Sequence, residues 1–518
     1  MKINIKKIFL GSTNCSQQSS IWITIDNIIN PPVIEGFDLG NNILDNIVKL
    51  YSFLQRQSKI IVENTYHQFD DMTIGISYSN MEAALITLQS IENICNGYPK
   101  ELIIKNLESQ LQQFSEPGQN SVYFLNDALE WRIPTCRFSN NGHYFGTGCF
   151  TQKLSSTSTK MTSVIGVNLA KNKLQTSLFL TQNGLPGSTH VLVNSLEEAI
   201  NAANKIGYPI VIKPNDRDNG DGVFAGIKNE KNLRLFFEKT KSFSDNILIE
   251  KHINGYGHRI TFCDNKIVAV TKKLPWGIVG DGQKMISQLV ENFDDEMLSI
   301  LEDENLTKNS ILEVNRFLPL RRKNNASASG QTIGLNIKDV HPDNIQLAFT
   351  ISKLFDLDIV GIDLIISDIS KSWLENECVI PDINAIPQIG FDRVKTIFET
   401  LFPNEFRVPI YLLIIKDPLD LKLDKIKNMF NFNAYSTIDG VWINNKLISN
   451  RFNNGFDSAR SMIFNSEVNS GLVVMTLDGI KIFGLPLDKF NVVVLDNVDL
   501  DEDSKKVLLG QNIIRINE

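Results

Sequence analysis

From about residue 160 to residue 384 the hydrophobic pattern alternates between a helical period and a strand period, and this alternation narrows the possible architectures more than any other feature. SLEEAINAANKIG places its apolar residues at helical spacing, while PIVIKP, NILIEKHI, KIVAVTKK, DIVGIDLIISD and CVIPDINA read as strands. The spacing also predicts helices over VIGVNLAKNKLQTSLFLTQNG and NIQLAFTISKLFDL. Asn194 or Ser195 is the expected cap of SLEEAINAANKIG, and Gly207 followed by Tyr208-Pro209 should stop it before the next strand. Such a chain belongs to the α/β (α+β) class.

The flanking sequence has the same texture. Before residue 160, strand-like IWITI and TIGISY mix with helical NNILDNIVKLYSFLQ and MEAALITLQSIENIC, and after residue 400 come VPIYLLII, GLVVMTL and NVVVL. At 518 residues the chain exceeds what one core usually serves, and we expect three domains at 1–160, 161–400 and 401–518. No repeat of 20–50 residues is visible, which argues against a solenoid.

Composition bears on partners and compartment. With 42% hydrophobic and 21% charged residues the chain reads as an ordinary globular protein, and its net charge of -8 gives no reason to expect nucleic acid or an anionic membrane as a partner. Six scattered cysteines form no C-x-x-C, and no run approaches the ~20 apolar residues of a spanning helix. The start, MKINIKKIFLGSTNCSQQ, lacks a secretory apolar stretch, so a cytoplasmic location with reduced thiols is expected.

The candidate chemistry lies in the alternating region. Asp363 ends GID nineteen positions before Asp382 of PDIN; two adjacent strands would bring Asp363, Asp382 and Asn384 to one face, as hard oxygen ligands suited to Mg²⁺ or as ordinary polar strand ends. Lys213 ends PIVIKP and precedes a loop with Gly220 and Gly222, which reads either as a phosphate-binding lysine and loop or as a surface hairpin. Lys173, Glu250 and Arg259 complete an ordered set.

That set resembles the ATP-grasp fold, and more closely the cyanophycin synthetase family. The resemblance is carried by FGTGCFTQKLSSTSTKMTSVIGVNLAKNKLQT, GYPIVIKPNDRDNGDGV, IVGDGQKMISQLVE, RKNNASASGQT and VHPDNIQLAFTISKLFDLDIVGIDLIISDIS, strongly over about 140–400. It implies an ATP-grasp core flanked by an N-terminal α/β domain and a C-terminal α/β remnant resembling Mur ligases. It also implies ATP and Mg²⁺ as cofactors, with a carboxylate and an amino acid or other amine as substrates, joined through an acyl phosphate. By position, the resemblance puts Lys173, Lys213, Gly220 and Gly222 on the nucleotide phosphates, and Glu250, Lys251 and Ile253 at the adenine. Arg259, Lys273, Arg322 and Asn324 would serve the reacting group, and Asp363, Asp382 and Asn384 the metal. A homo-oligomer is the expected assembly.

The chain departs from the family pattern in several places. Asp382 replaces a glutamate, Asn172 an aspartate, Gly257 an acid, Asp221 a basic residue, Ala326 an asparagine and Lys273 an arginine. In the last domain RVPIYLLI keeps the family's strand, but IKDPLD stands where a glycine- and lysine-bearing phosphate loop belongs, and Thr476 stands where the family has an acid. STIDGVWINNKLISNRFNNGFDSARSMIF still resembles the family. We therefore expect one ligase centre, with a catalytically impaired nucleotide-binding scaffold and a partner-dependent cyanophycin synthetase as alternatives.

Overall fold

The computed structural model of the chain describes residues 1–518 except 14–15, 38–39, 41, 216–221, 322–330, 419–422 and 517–518. It forms two compact units, one of Thr157–Pro387 and one of Met1–Ser156 together with Gln388–Glu518.

Among the described residues the Thr157–Pro387 unit holds two larger antiparallel sheets and a two-stranded one, Gly277–Val279 with Phe317–Pro319. The first has four strands in the order Phe224–Ile227, Ile210–Pro214, Ile247–Lys251, His190–Val193. Helices Leu196–Ile206 and Glu230–Lys241 cover one face: Ala199, Ala202, Ala203, Leu233, Phe236 and Phe237 pack on Ile210, Ile212, Ile247 and Ile249. Because side chains alternate along a strand, Lys213, Glu250 and His190 fall on the other face. Ser195 caps the first helix by accepting from Glu198 N at 3.2 Å, and Gly207, at φ 82°, ends it where a side chain would be strained.

The second sheet runs Gln331–Leu335, Lys266–Leu274, Tyr256–Cys263, Ile359–Ile366, Cys378–Asn384. Ile260, Phe262, Val270, Ile362, Leu364 and Ile383 face the helix Pro342–Leu354, whose Leu347, Ala348 and Ile351 enter the same core. The alternate residues, Arg259, Asp363, Asp382 and Asn384, therefore face away from that core.

One expected helix is two. VIGVNLAKNKLQTSLFLTQNG breaks at Asn172, giving Val164–Lys171 and Lys173–Gln182. Asn172 sits at φ -104°, ψ 103°, and its side chain accepts from Gln175 N at 3.0 Å. An asparagine that satisfies an orphan N–H this way favours a new helix start over continuation, which hydrophobic spacing alone does not register.

In the other unit a four-stranded antiparallel sheet, ordered Lys2–Phe9, Ser19–Asp26, Thr73–Tyr78, Tyr66–Gln68, packs with Ile43–Gln57 and Met81–Cys95. A seven-stranded sheet carries the C-terminal stretch, with Ala434–Thr437, Gly471–Thr476, Ile410–Ile415, Val492–Asp496 and Ile513–Ile516 parallel. Buried on both faces, these strands read as the continuous runs IYLLII, LVVM and VVVL. Phe9 and Trp22, from the N-terminal strands, sit in the core of this second sheet with Ile410, Leu412 and Val493. Thr476 caps the short helix Leu477–Phe483 by accepting from Gly479 N at 3.1 Å.

Candidate active site

The second sheet lines up charged side chains across four strands. Arg259 is the register partner of Asp363, Asp363 of Asp382, and Gly361 of Asn384; Lys273 lies opposite Gly257 on the next strand. Glycine at 361 leaves space that the Arg259 side chain uses: a Cβ there would stand 3.2 Å from Arg259 Cδ. Arg259 donates to Asp363 through a two-pronged fork, Nε to Oδ1 at 2.7 Å and Nη2 to Oδ2 at 2.8 Å. Lys273 Nζ donates to the same Oδ2 at 2.8 Å. Two cations therefore converge on one carboxylate, a geometry that fixes both head groups.

Electrostatics separate the two acids. Burial pushes Asp363 towards its neutral form, but Arg259 and then Lys273 overcome it and hold the carboxyl below the usual range. Asp382 behaves oppositely: burial, then the charge of Asp363, raises it, while Lys173, Arg259 and Lys213 pull the other way. That balance brings Lys173 and Lys213 within electrostatic reach of Asp382. Asn384 Nδ2 donates weakly to the Asp382 carboxylate at 3.3 Å, and the same amide lies 3.4 Å from Asp363 Oδ2.

The first sheet supplies a buried charge line. Lys213 Nζ lies 2.7 Å from Glu250 Oε1, and His190 Nδ1 lies 3.0 Å from Glu250 Oε2, all three side chains being buried. Burial alone would raise Glu250, yet Lys213 and then His190 hold it down to about 2. His190 was not among the expected site residues. Its neighbours in sequence, THVLV, offer no motif, and only strand pairing sets it directly opposite Glu250.

The remaining expected residues are placed as follows. Lys173 opens the helix Lys173–Gln182. Gly222 has φ 71°, and a Cβ there would meet Phe243 and Pro214 at 2.9 and 3.0 Å, so glycine is required. Lys251 is exposed and donates to Gly207 O at 2.9 Å, and Ile253 is half-buried just beyond the strand end. Gly220, Arg322 and Asn324, with Asp221 and Ala326, lie outside the described residues.

A magnesium ion, which the resemblance implies, can be tested against these side chains. Among the described residues no three His, Cys, Asp or Glu form a ready cation cage. Asp382 fits nonetheless: it is a largely buried carboxylate beside a second acid, short of donors, with a carboxamide adjacent. Asp363 already receives three charged hydrogen bonds and offers its remaining lone pairs.

The chain is similar to several known proteins. The family model for the carbamoyl-phosphate synthase L chain, ATP binding domain, matches residues 171–261, a stretch that carries Lys173, Lys213, Glu250 and Arg259. A cyanophycin synthetase from Trichormus variabilis is 27% identical over 473 residues, covering 83% of this chain and 52% of that protein. The glutathione biosynthesis bifunctional protein GshAB of Streptococcus mutans serotype c is 27% identical over 244 residues, 42% of this chain and 32% of that protein. Among solved structures, a bifunctional glutathione synthetase from Pasteurella multocida covers 62% of this chain and 49% of its own, at 21% identity and a TM-score of 0.40. The chain spans about half the length of the cyanophycin synthetases it matches. Over most of its length the chain is similar to the cyanophycin synthetases, and residues 171–261 match an ATP-binding family model.

Proposed function

We propose that the protein is an ATP-dependent carboxylate–amine ligase, joining an amino acid or related amine to a small carboxylate or peptide through an acyl phosphate. The observation that carries the reading is the convergence of Arg259 and Lys273 on Asp363, with Asp382 and Asn384 alongside. Phosphoryl transfer needs positioned positive charge rather than a side-chain nucleophile. In this reading Lys173 and Lys213 offset the charge of the nucleotide phosphates and Gly222 allows close backbone approach. Glu250, Lys251 and Ile253 flank the adenine, and Arg259 and Lys273 face the transferring group. Gly220, Arg322 and Asn324 take the roles the resemblance assigns them. Magnesium held by Asp382, Asn384 and Asp363 would supply Lewis-acid neutralisation of phosphate oxygens. Asp363, tied to both cations, orients them before substrate arrives.

The test is ADP release over a panel of acids paired with amino acids and amines, with mass spectrometry of the products. An ADP-forming pair whose product has lost one water supports the ligase; bound nucleotide with no ADP or phosphate release across the panel sinks it. A second reading, a nucleotide-binding scaffold, is favoured by the full commitment of Arg259 and Lys273 to Asp363 and by the short arm of Asp382. Asp382→Glu raising turnover speaks for the enzyme. A partner-dependent cyanophycin synthetase would make Asp–Arg polymer only when an arginine-ligating protein is added. The C-terminal stretch is then a packing or oligomerisation module. A homo-oligomer in the cytoplasm is part of the same proposal; among the described residues no helix is long and apolar enough to cross a membrane.

A further inference from the structure

The unit built from residues 1–156 and 388–518 contains a cavity of about 870 Å³, which none of the ligase-site residues line. Its walls come from the helix Gln119–Glu130, the end of Ile43–Gln57 and the stretch carrying Asp488 and Lys489. Asp127 faces this space at only 7% exposure, and among the described residues its carboxylate has neither a hydrogen bond nor an ion pair. Buried carboxylates are normally paired, so one left open towards a cavity marks a place for a partner.

Arg132 and Lys489 also line the cavity, but among the described residues no surrounding charge is paired with Asp127. Arg56 is spent on Val62 O, at 3.2 and 2.6 Å, and on Asn126 Oδ1 at 2.7 Å. Asp488 is neutralised by the fork of Arg407, at 2.8 and 2.9 Å, and Glu63 Oε1 accepts from Gln17 N at 3.0 Å. Glu130, one helical turn after Asp127, lines the same cavity and adds repulsion. Burial and then this neighbour push Asp127 up to about 6. A void of this size suits an organic molecule rather than a bare ion.

We infer that this cavity binds a small organic cation, an amine or guanidinium, with Asp127 and Glu130 as its anionic wall. The probe is agmatine, titrated calorimetrically into the full chain, with 1,4-butanediol as neutral control and methylguanidinium as the minimal cation. Saturable agmatine binding is expected, absent for butanediol, weakened at least about tenfold by Asp127→Asn and kept by Asp382→Asn in the ligase site. Asparagine matches aspartate in size, and Glu130→Gln gives an independent second variant should the first fail to fold; it too should weaken binding. No binding of either cation overturns the inference. So does undiminished affinity in the folded Asp127→Asn or Glu130→Gln protein, or loss of binding in Asp382→Asn.

Discussion

Lys213 lies at 5% exposure, and strand pairing puts Glu250 against it and His190 behind Glu250. Removing one partner of such a pair strands the other, so Glu250→Ala should cost about 3–5 kcal/mol in urea unfolding, and the double change Lys213→Met, Glu250→Leu much less. The same residue sets an acid limit. Glu250 is held to about 2 when folded, below its unfolded value, so its contribution is full above the unfolded pKa of about 4.5 and is lost as pH falls from there towards 2. Asp127 acts with opposite sign: its folded value of about 6 lies above the unfolded one, so its ionisation lowers stability as pH rises from about 4 to 6. Urea midpoints measured from pH 2 to 7 should show the first trend in wild type, and Asp127→Asn should flatten the second.

At the scale of elements, Asn172 decides where the helix carrying Lys173 begins. Asn172→Ala should cost about 1 kcal/mol as a lost cap and, if the nucleotide reading holds, raise the KM for ATP more than it lowers kcat, because the lysine's helix start shifts. Asn172→Asp, an alternative cap, should restore both. Gly361 acts at the strand crossing. Gly361→Val would press on the Arg259 side chain and, if the ligase reading holds, is expected to cut ADP formation by about tenfold or more, with the circular dichroism spectrum unchanged. Wild-type turnover in that variant would show that the Arg259–Asp363 fork is dispensable.

At the scale of the molecule, Phe9 and Trp22 are buried in the core of the C-terminal sheet, so the first 156 residues lack part of their burial when expressed alone. That fragment should bind a hydrophobic dye and aggregate, whereas a fragment spanning 157–387 should unfold cooperatively, since its two larger sheets have cores of their own. A soluble, dye-silent 1–156 fragment would contradict the shared core. Much of this was legible in advance: the alternating periods mark the strands that carry Lys213, Glu250, Asp363 and Asp382 to within a residue or two, whereas the strand Tyr256–Cys263 that carries Arg259 was not read. The break at Asn172 was not, because a side-chain cap competes locally with a hydrophobic pattern that runs straight through it.

For the strands carrying Lys213, Glu250, Asp363 and Asp382 the sequence by itself determined which residues alternate to the same face, because side-chain alternation is a property of the backbone. It also put Asp363 and Asp382 on neighbouring strands through the short polar connection between them. Only the tertiary structure decided which charges meet. Cross-strand register joins Arg259 and Lys273 to Asp363 and sets His190 on Glu250, and register depends on contacts between residues as far apart as Arg259 and Asp363; helix packing, equally non-local, leaves Asp127 open to a cavity.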